Sequence, residues 1–272
     1  MKLLRSLARV SLLIGLALPL AADLAPKAPM QLFLLAGQSN MAGRGAVKDL
    51  SPADAAPNPQ VLALNAAGEW QPAVDPLHWD KAGAGVGIGK FFGAAIAAKN
   101  PGAVIGLIPT ACGGSPITTW EPGKSWVQTK SNPWDDSIAR AKRAMKDGTL
   151  KAILWHQGES DSNPKNAKLY EERLTALIAR FRQELNAPDL PFIIGQLGKF
   201  EGEARTAAWN ADKIEVDRAQ QAVAAKVPHV YFVSAEGLGS RGDRLHFSTA
   251  SQKIFAARYV EAYLKSQAAV AK

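Results

Sequence analysis

Two short stretches of this chain carry the residue types needed to activate a hydroxyl. One is Gly37-Gln38-Ser39-Asn40-Met41-Ala42-Gly43, entered directly from the apolar run Met30–Ala36. The other, 200 positions further on, is Asp243-Arg244-Leu245-His246-Phe247-Ser248. A serine hydroxyl is a poor nucleophile until a base takes its proton and a third group orients that base. The first stretch reads as a buried strand ending in a glycine turn that lifts the Ser39 hydroxyl clear of a sheet. The second offers the His246 imidazole with a carboxylate, Asp243, one turn before it. A third block, Trp155-His156-Gln157-Gly158-Glu159-Ser160-Asp161, holds a rival carboxylate, Glu159. His156, Glu159 and Asp161 could suggest a metal site. Adjacent residues rarely aim ligands in one direction, however, and no His pair has zinc spacing, so neither metal nor organic cofactor is expected.

These groups need a frame, and the apolar pattern supplies one. Five short apolar runs read as strands: Gln31–Ala36, Val104–Pro109, Ala152–His156, Pro191–Gln196 and Val230–Ser234. Helical patterns fall between and after them at Gly89–Lys99, Ser137–Lys146, Ala167–Leu185, Asp212–Lys226 and Thr249–Lys265. Fully apolar strands alternating with helices imply a parallel sheet covered on both faces. The expected fold class is therefore α/β, a three-layer α/β/α sandwich around a central, mainly parallel five-stranded sheet of flavodoxin-like type. Ligands in such sheets bind beyond the carboxyl ends of the strands, where the blocks named above fall. Val47–Trp79 and Ile117–Trp134 read as long loops, and their aromatics suit the faces of sugar rings. The cluster Gly83–Lys90 fits neither phosphate-loop register and reads as a helix-entry turn.

The first residues have a different character. Lys2, Arg5 and Arg9 precede an uncharged stretch from Val10 to Ala22, the layout of a secretory signal peptide cleaved after about Ala22. The expected organisation is a leader over 1–22 and a single domain over 23–272, secreted or periplasmic, with no stable membrane anchor after the leader is removed. Without the leader's three basic residues the chain has 29 basic against 24 acidic residues. That surplus is scattered and gives no nucleic-acid stripe. Cys112 is the only cysteine, so no internal disulfide can form, and it follows an apolar run as a small buried side chain would.

The turn at Ser39 lacks the second glycine of a G-x-S-x-G elbow and follows the first strand, which argues against an α/β-hydrolase. The chain instead resembles the SGNH hydrolases, and within them the carbohydrate acetylesterases related to sialate O-acetylesterase and acetylxylan esterase. The resemblance rests on Gly37–Gly43, on Gly113-Gly114-Ser115-Pro116-Ile117 with Trp120 after it, on Trp155–Asp161 and on Asp243–Phe247. It implies a serine esterase that acts on an acetylated carbohydrate, with Ser39 as nucleophile and His246 as general base. It also implies an oxyanion hole from the backbone N–H of Ser39, the N–H of Gly113 or Gly114, and the side-chain amide of Gln157, which stands where the group's usual asparagine would be. The acid that orients His246 is either Asp243 or Glu159. Gln38 and Asn40 on either side of Ser39, with Trp120 and His78 from the loops, are the expected substrate contacts.

Overall fold

The computed structural model describes residues 29–200 and 207–270, so the expected leader lies outside the described residues. Seven strands form one sheet: β1 (Met30–Gly37), β2 (Val61–Leu64), β3 (Trp70–Pro72), β4 (Ile105–Pro109), β5 (Gly148–His156), β6 (Phe192–Gly195) and β7 (Val230–Val233). Their order across the sheet is β3-β2-β4-β1-β5-β6-β7. All neighbours are parallel except β3, which runs antiparallel to β2.

Strand β1 lies in the middle and is apolar on both sides because both sides are covered. Leu32, Leu34 and Ala36 face one layer, Phe33 and Leu35 the other. The first layer is built from α4 (Pro133–Ala144), α5 (Tyr170–Glu184) and α6 (Ala207–Lys226); the second from α3 (Ile88–Lys99) and α7 (Thr249–Val270). Two single-turn helices, α1 (Ser39–Ala42) and α2 (Pro52–Ala55), lie in the connection after β1. This is the expected three-layer sandwich, and none of the described helices is long and apolar enough to cross a membrane.

The sheet has seven strands, not five. The extra pair, β2 and β3, lies inside the stretch expected to be a loop. Val61–Leu64 is fully buried, but its apolar run lies inside a proline-rich stretch with no helical pattern beside it to mark it as a strand. It pairs with β3 through a hairpin in which Asn65 Oδ1 accepts from the N–H groups of Ala67 and Glu69. Strand β3 ends at Pro72 on the sheet's edge, where a missing N–H costs no ladder bond. The glycine cluster is a helix entry: Gly87 caps α3, and a Cβ on Gly85 would stand 2.2 Å from the Gly45 carbonyl oxygen. The glycines there let two backbones touch.

Asp75 sits in the second layer's surroundings, buried, with neither carboxylate oxygen hydrogen-bonded among the described residues. Burial pushes its pKa up to about 6. A raised carboxyl favours folding while protonated, and that contribution is lost as pH rises from the unfolded value near 4 through about 6. Asp75→Asn should match wild-type stability at pH 4 and exceed it by roughly 2–3 kcal/mol above pH 7. Urea unfolding of both proteins across that range is the measurement, and a gap that does not change with pH would contradict it.

Candidate active site

Strand β1 leaves the sheet at Gly37, whose φ of 125° excludes most side chains. A Cβ there would also lie 2.1 Å from the His156 carbonyl oxygen on β5. The same oxygen accepts from the Gln38 N–H at 2.8 Å. The chain then closes the turn of α1, with the N–H groups of Met41 and Ala42 both returning to Gln38 O at 3.0 Å. Ser39 opens this turn, directly beyond the carboxyl end of the central strand.

His246 comes from the loop between β7 and α7. Asp243 Oδ1 accepts from the N–H groups of Leu245 (3.0 Å) and His246 (2.8 Å), which folds the segment into one tight turn. Its other oxygen, Oδ2, is 2.7 Å from His246 Nδ1, and His246 Nε2 is 2.9 Å from Ser39 Oγ. A carboxylate can only accept, so Nδ1 carries the ring hydrogen and Nε2 is free to receive the Ser39 proton. Partial burial alone would raise the Asp243 carboxyl, but the bonds from the His246 ring and from the two N–H groups outweigh it and hold it below the usual value. Arg241 Nε stands 3.3 Å from the same oxygen.

Glu159 takes the other position. Its Oε1 accepts from Asn40 Nδ2 at 2.6 Å and lies 3.9 Å from His156 Nδ1; the ring of His246 is bonded by Asp243 instead. His156 is buried between Phe247 and Phe255, with Nε2 on Gln196 O at 3.0 Å, and burial lowers its pKa. It is a packed histidine.

Ser39 and His246 open into a pocket of about 650 Å³ whose wall mixes polar side chains, among them Gln38, Arg44, Lys81, Gln128, Ser160 and Asn163, with the apolar surface of Pro116, Trp126 and Leu245. Arg44 pairs with the buried Asp80 carboxylate at 2.8 Å. Lys81 Nζ donates to Gln128 Oε1 at 2.6 Å, and partial burial, helped by the charge of Arg44, lowers its pKa.

Several expected contributors stand elsewhere. The Gly113 N–H donates to Asp80 Oδ2 at 2.8 Å, so this donor is already engaged. Trp126 Nε1 holds the Gly113 carbonyl from the other side at 3.1 Å. Gly114, the alternative, also lines the pocket. Gln157 is fully buried, and its amide is spent: Nε2 donates to Asp161 Oδ2 (2.6 Å) and Ser115 O (3.0 Å), while Oε1 accepts from Tyr170 Oη (2.7 Å). The expectation that this amide faces an oxyanion is corrected, because the hydroxyl on α5 and the Asp161 carboxylate fix it inward. Trp120 is likewise fully buried, edge-on to Trp155 at 5.0 Å with Nε1 on Ser115 Oγ, and does not line the pocket. His78 lines a separate 60 Å³ cavity with Trp79, Cys112 and Arg140, where burial pushes its pKa down to about 4. Asn40 is buried against Glu159 and the His246 loop, also outside the pocket wall. Gln38 does line it, with Oε1 turned to the N–H of Ser160 at 3.3 Å. Arg44, Lys81, Gln128, Ser160 and Asn163 were not expected in the wall. Arg44 directly follows the Gly37–Gly43 block, while Lys81 and Gln128 sit on long loops whose sequence has no period to read.

Comparison with known proteins gives a consistent picture. The family profile described as carbohydrate esterase, sialic acid-specific acetylesterase, matches residues 29–265. A probable carbohydrate esterase of Arabidopsis thaliana is 35% identical over 260 residues, covering 89% of this chain and 93% of that protein. A solved structure of an Arabidopsis thaliana protein superposes with a TM-score of 0.76 at 34% identity, over 88% of this chain and 99% of that one. A carbohydrate acetylesterase from Xanthomonas citri shares the fold, with a TM-score of 0.65 at 24% identity over 85% of this chain and 55% of that one.

The position of Gln157 yields a prediction. Gln157→Ala removes one of the two acceptors of the Tyr170 hydroxyl and the amide that donates to Asp161 Oδ2 and Ser115 O, and should lower stability by about 1–3 kcal/mol, while the folded enzyme keeps kcat within about tenfold. Thermal unfolding and kcat on one preparation decide: full stability with a loss near the 10²–10³ of a deleted oxyanion donor would return the amide to the pocket.

Proposed function

The chain belongs to the sialic acid-specific acetylesterase family of carbohydrate esterases, and we propose on that premise that it removes O-acetyl groups from a carbohydrate through an acetyl-enzyme on Ser39. As a family member it is a carboxylic ester hydrolase. The serine mechanism rests on one observation, the unbroken relay from Asp243 through His246 to Ser39, which opens into the pocket.

In this reading His246 Nε2 takes the Ser39 proton as Oγ attacks the acetyl carbonyl. The imidazolium, stabilised by Asp243, then returns a proton to the departing sugar oxygen. Water, activated by the same nitrogen, cleaves the acetyl-enzyme and releases acetate. The oxyanion is met by the backbone N–H of Ser39 and by that of Gly114, since Gly113 is engaged by Asp80. Sugar hydroxyls are matched by Lys81, Gln128, Ser160 and Asn163, and a ring face by Trp126. Acetylated xylan and O-acetyl sialic acid are the substrate types to try. In the same reading the protein works outside the cytoplasm, secreted or periplasmic, as one esterase domain after removal of a leader ending near Ala22, a reading supported by the basic-then-uncharged layout of residues 1–22.

Ser39→Ala should lower kcat/KM toward a small acetyl ester by at least about 10⁴-fold with an unchanged circular dichroism spectrum and melting temperature. Asp243→Asn should cost on the order of 10²–10⁴-fold in kcat, because the ring loses the partner that fixes its tautomer. Acetate release from acetylated xylan and O-acetyl sialic acid should exceed fatty-acid release from a medium-chain ester; the reverse order would sink the carbohydrate assignment.

A further inference from the structure

The two neighbours of Ser39 each grip a different segment of the site. Gln38 Oε1 accepts from the N–H groups of Gly158 (3.4 Å) and Ser160 (3.3 Å), which flank Glu159. The Asn40 side chain grips the residues that flank His246: its Nδ2 donates to Leu245 O at 3.1 Å and its Oδ1 accepts from the Phe247 N–H at 3.1 Å. The same Nδ2 donates to Glu159 Oε1 at 2.6 Å.

The two backbone contacts already set which way the amide points, and the third bond adds to them. Turned by 180°, Asn40 would set its oxygen against both Leu245 O and the Glu159 carboxylate, and its NH₂ against the Phe247 N–H. Each of those three contacts would be repulsive. Glu159 is itself buried, and its bond to Asn40 joins residues 119 positions apart. Resting on the serine reading above, we propose that Glu159 and Asn40 are positioning residues: Glu159 fixes the Asn40 amide, and the amide holds the backbone on both sides of His246 so that its ring meets Ser39.

The test is steady-state kinetics on Asn40→Ala, Glu159→Ala, Glu159→Gln and the Asn40→Ala/Glu159→Ala double variant, with Ser39→Ala as a control. Asn40→Ala and Glu159→Ala should each lower kcat by about 10–100-fold, with KM within about threefold. Glu159→Gln keeps an oxygen for Asn40 Nδ2 and should recover kcat to within about fivefold of wild type. Its pH profile of kcat/KM should keep the wild-type acid limb, because the charge removed does not touch the imidazole. The double variant should be no slower than Asn40→Ala, the sign of two residues acting through one contact.

A Glu159→Gln enzyme as slow as Glu159→Ala, or one with a displaced acid limb, overturns the proposal in favour of a direct electrostatic role on His246. Multiplying losses in the double variant overturn it as well. Should Asn40→Ala not fold, the Glu159→Ala and Glu159→Gln pair decides alone: slow and fast support the clamp, equally slow refutes it. Activity surviving in Ser39→Ala would instead remove the serine reading, a failure separate from these.

Discussion

A 2.9 Å contact between Ser39 Oγ and His246 Nε2, groups 207 positions apart, is the constraint the rest of the site serves. Closing so long a loop is not itself the difficulty, because closure entropy grows only slowly with length. What costs free energy is holding two short side chains to a fraction of an ångström, and that is done by sewing together the two backbones that carry them. Arg241 Nη1 donates to Arg44 O, Asn40 bonds both Leu245 and Phe247, Thr249 Oγ1 donates to Ala46 O, and Gln252 Nε2 donates to Asn40 O. The stitches run on both sides of His246 and hold the backbone that carries the ring.

The frame behind these stitches is rigid for ordinary reasons. Strand β1 is buried on both faces, and its C-terminal end is fixed by the Gly37–His156 approach that only glycine permits. Beneath the pocket lies a polar layer of Gln157, Asp161, Ser115 and Tyr170, in which each side chain is bonded to another or to the backbone. Burial pushes the Tyr170 hydroxyl's pKa upward, so it remains a donor. Such a network is stable only when its members are paired. Individual oxygens of Asp80, Glu159 and Asp161 are left without partners among the described residues, all close to the site. Arrangement there outweighs stability, as at other functional sites.

The parts of this molecule that could be read from its sequence are those set by neighbours in the chain. The five short apolar runs read from the sequence became strands β1, β4, β5, β6 and β7, and the helices between them followed. Asp243 and His246 meet through a single turn, and Ser39 is presented by the turn that directly follows its strand. Where direction depends on a distant element, the reading failed. Gln157 stands one residue past β5, yet the Tyr170 hydroxyl from α5 turns it inward. Trp120 and Trp126 belong to one loop, six positions apart, and nothing local distinguishes the first, which enters the core, from the second, which lines the pocket. Strand β2 escaped notice because its apolar run lies inside a proline-rich stretch with no helical pattern beside it.

The two carboxylates show how the same functional group takes different work from its place in the chain. Asp243 needs only three residues of backbone to reach His246, so the contact that sets the ring's tautomer is nearly as local as a helix cap. It survives small movements of the domain because donor and acceptor move together. Glu159 arrives from β5, on another part of the sheet, and any bond it made to the ring would stretch whenever that strand shifted relative to the C-terminal loop. Bonded instead to Asn40, it acts on the backbone frame shared by Ser39 and His246, where a displacement moves both together. The short connection is suited to electronic control of the imidazole, the long one to holding the two segments in register.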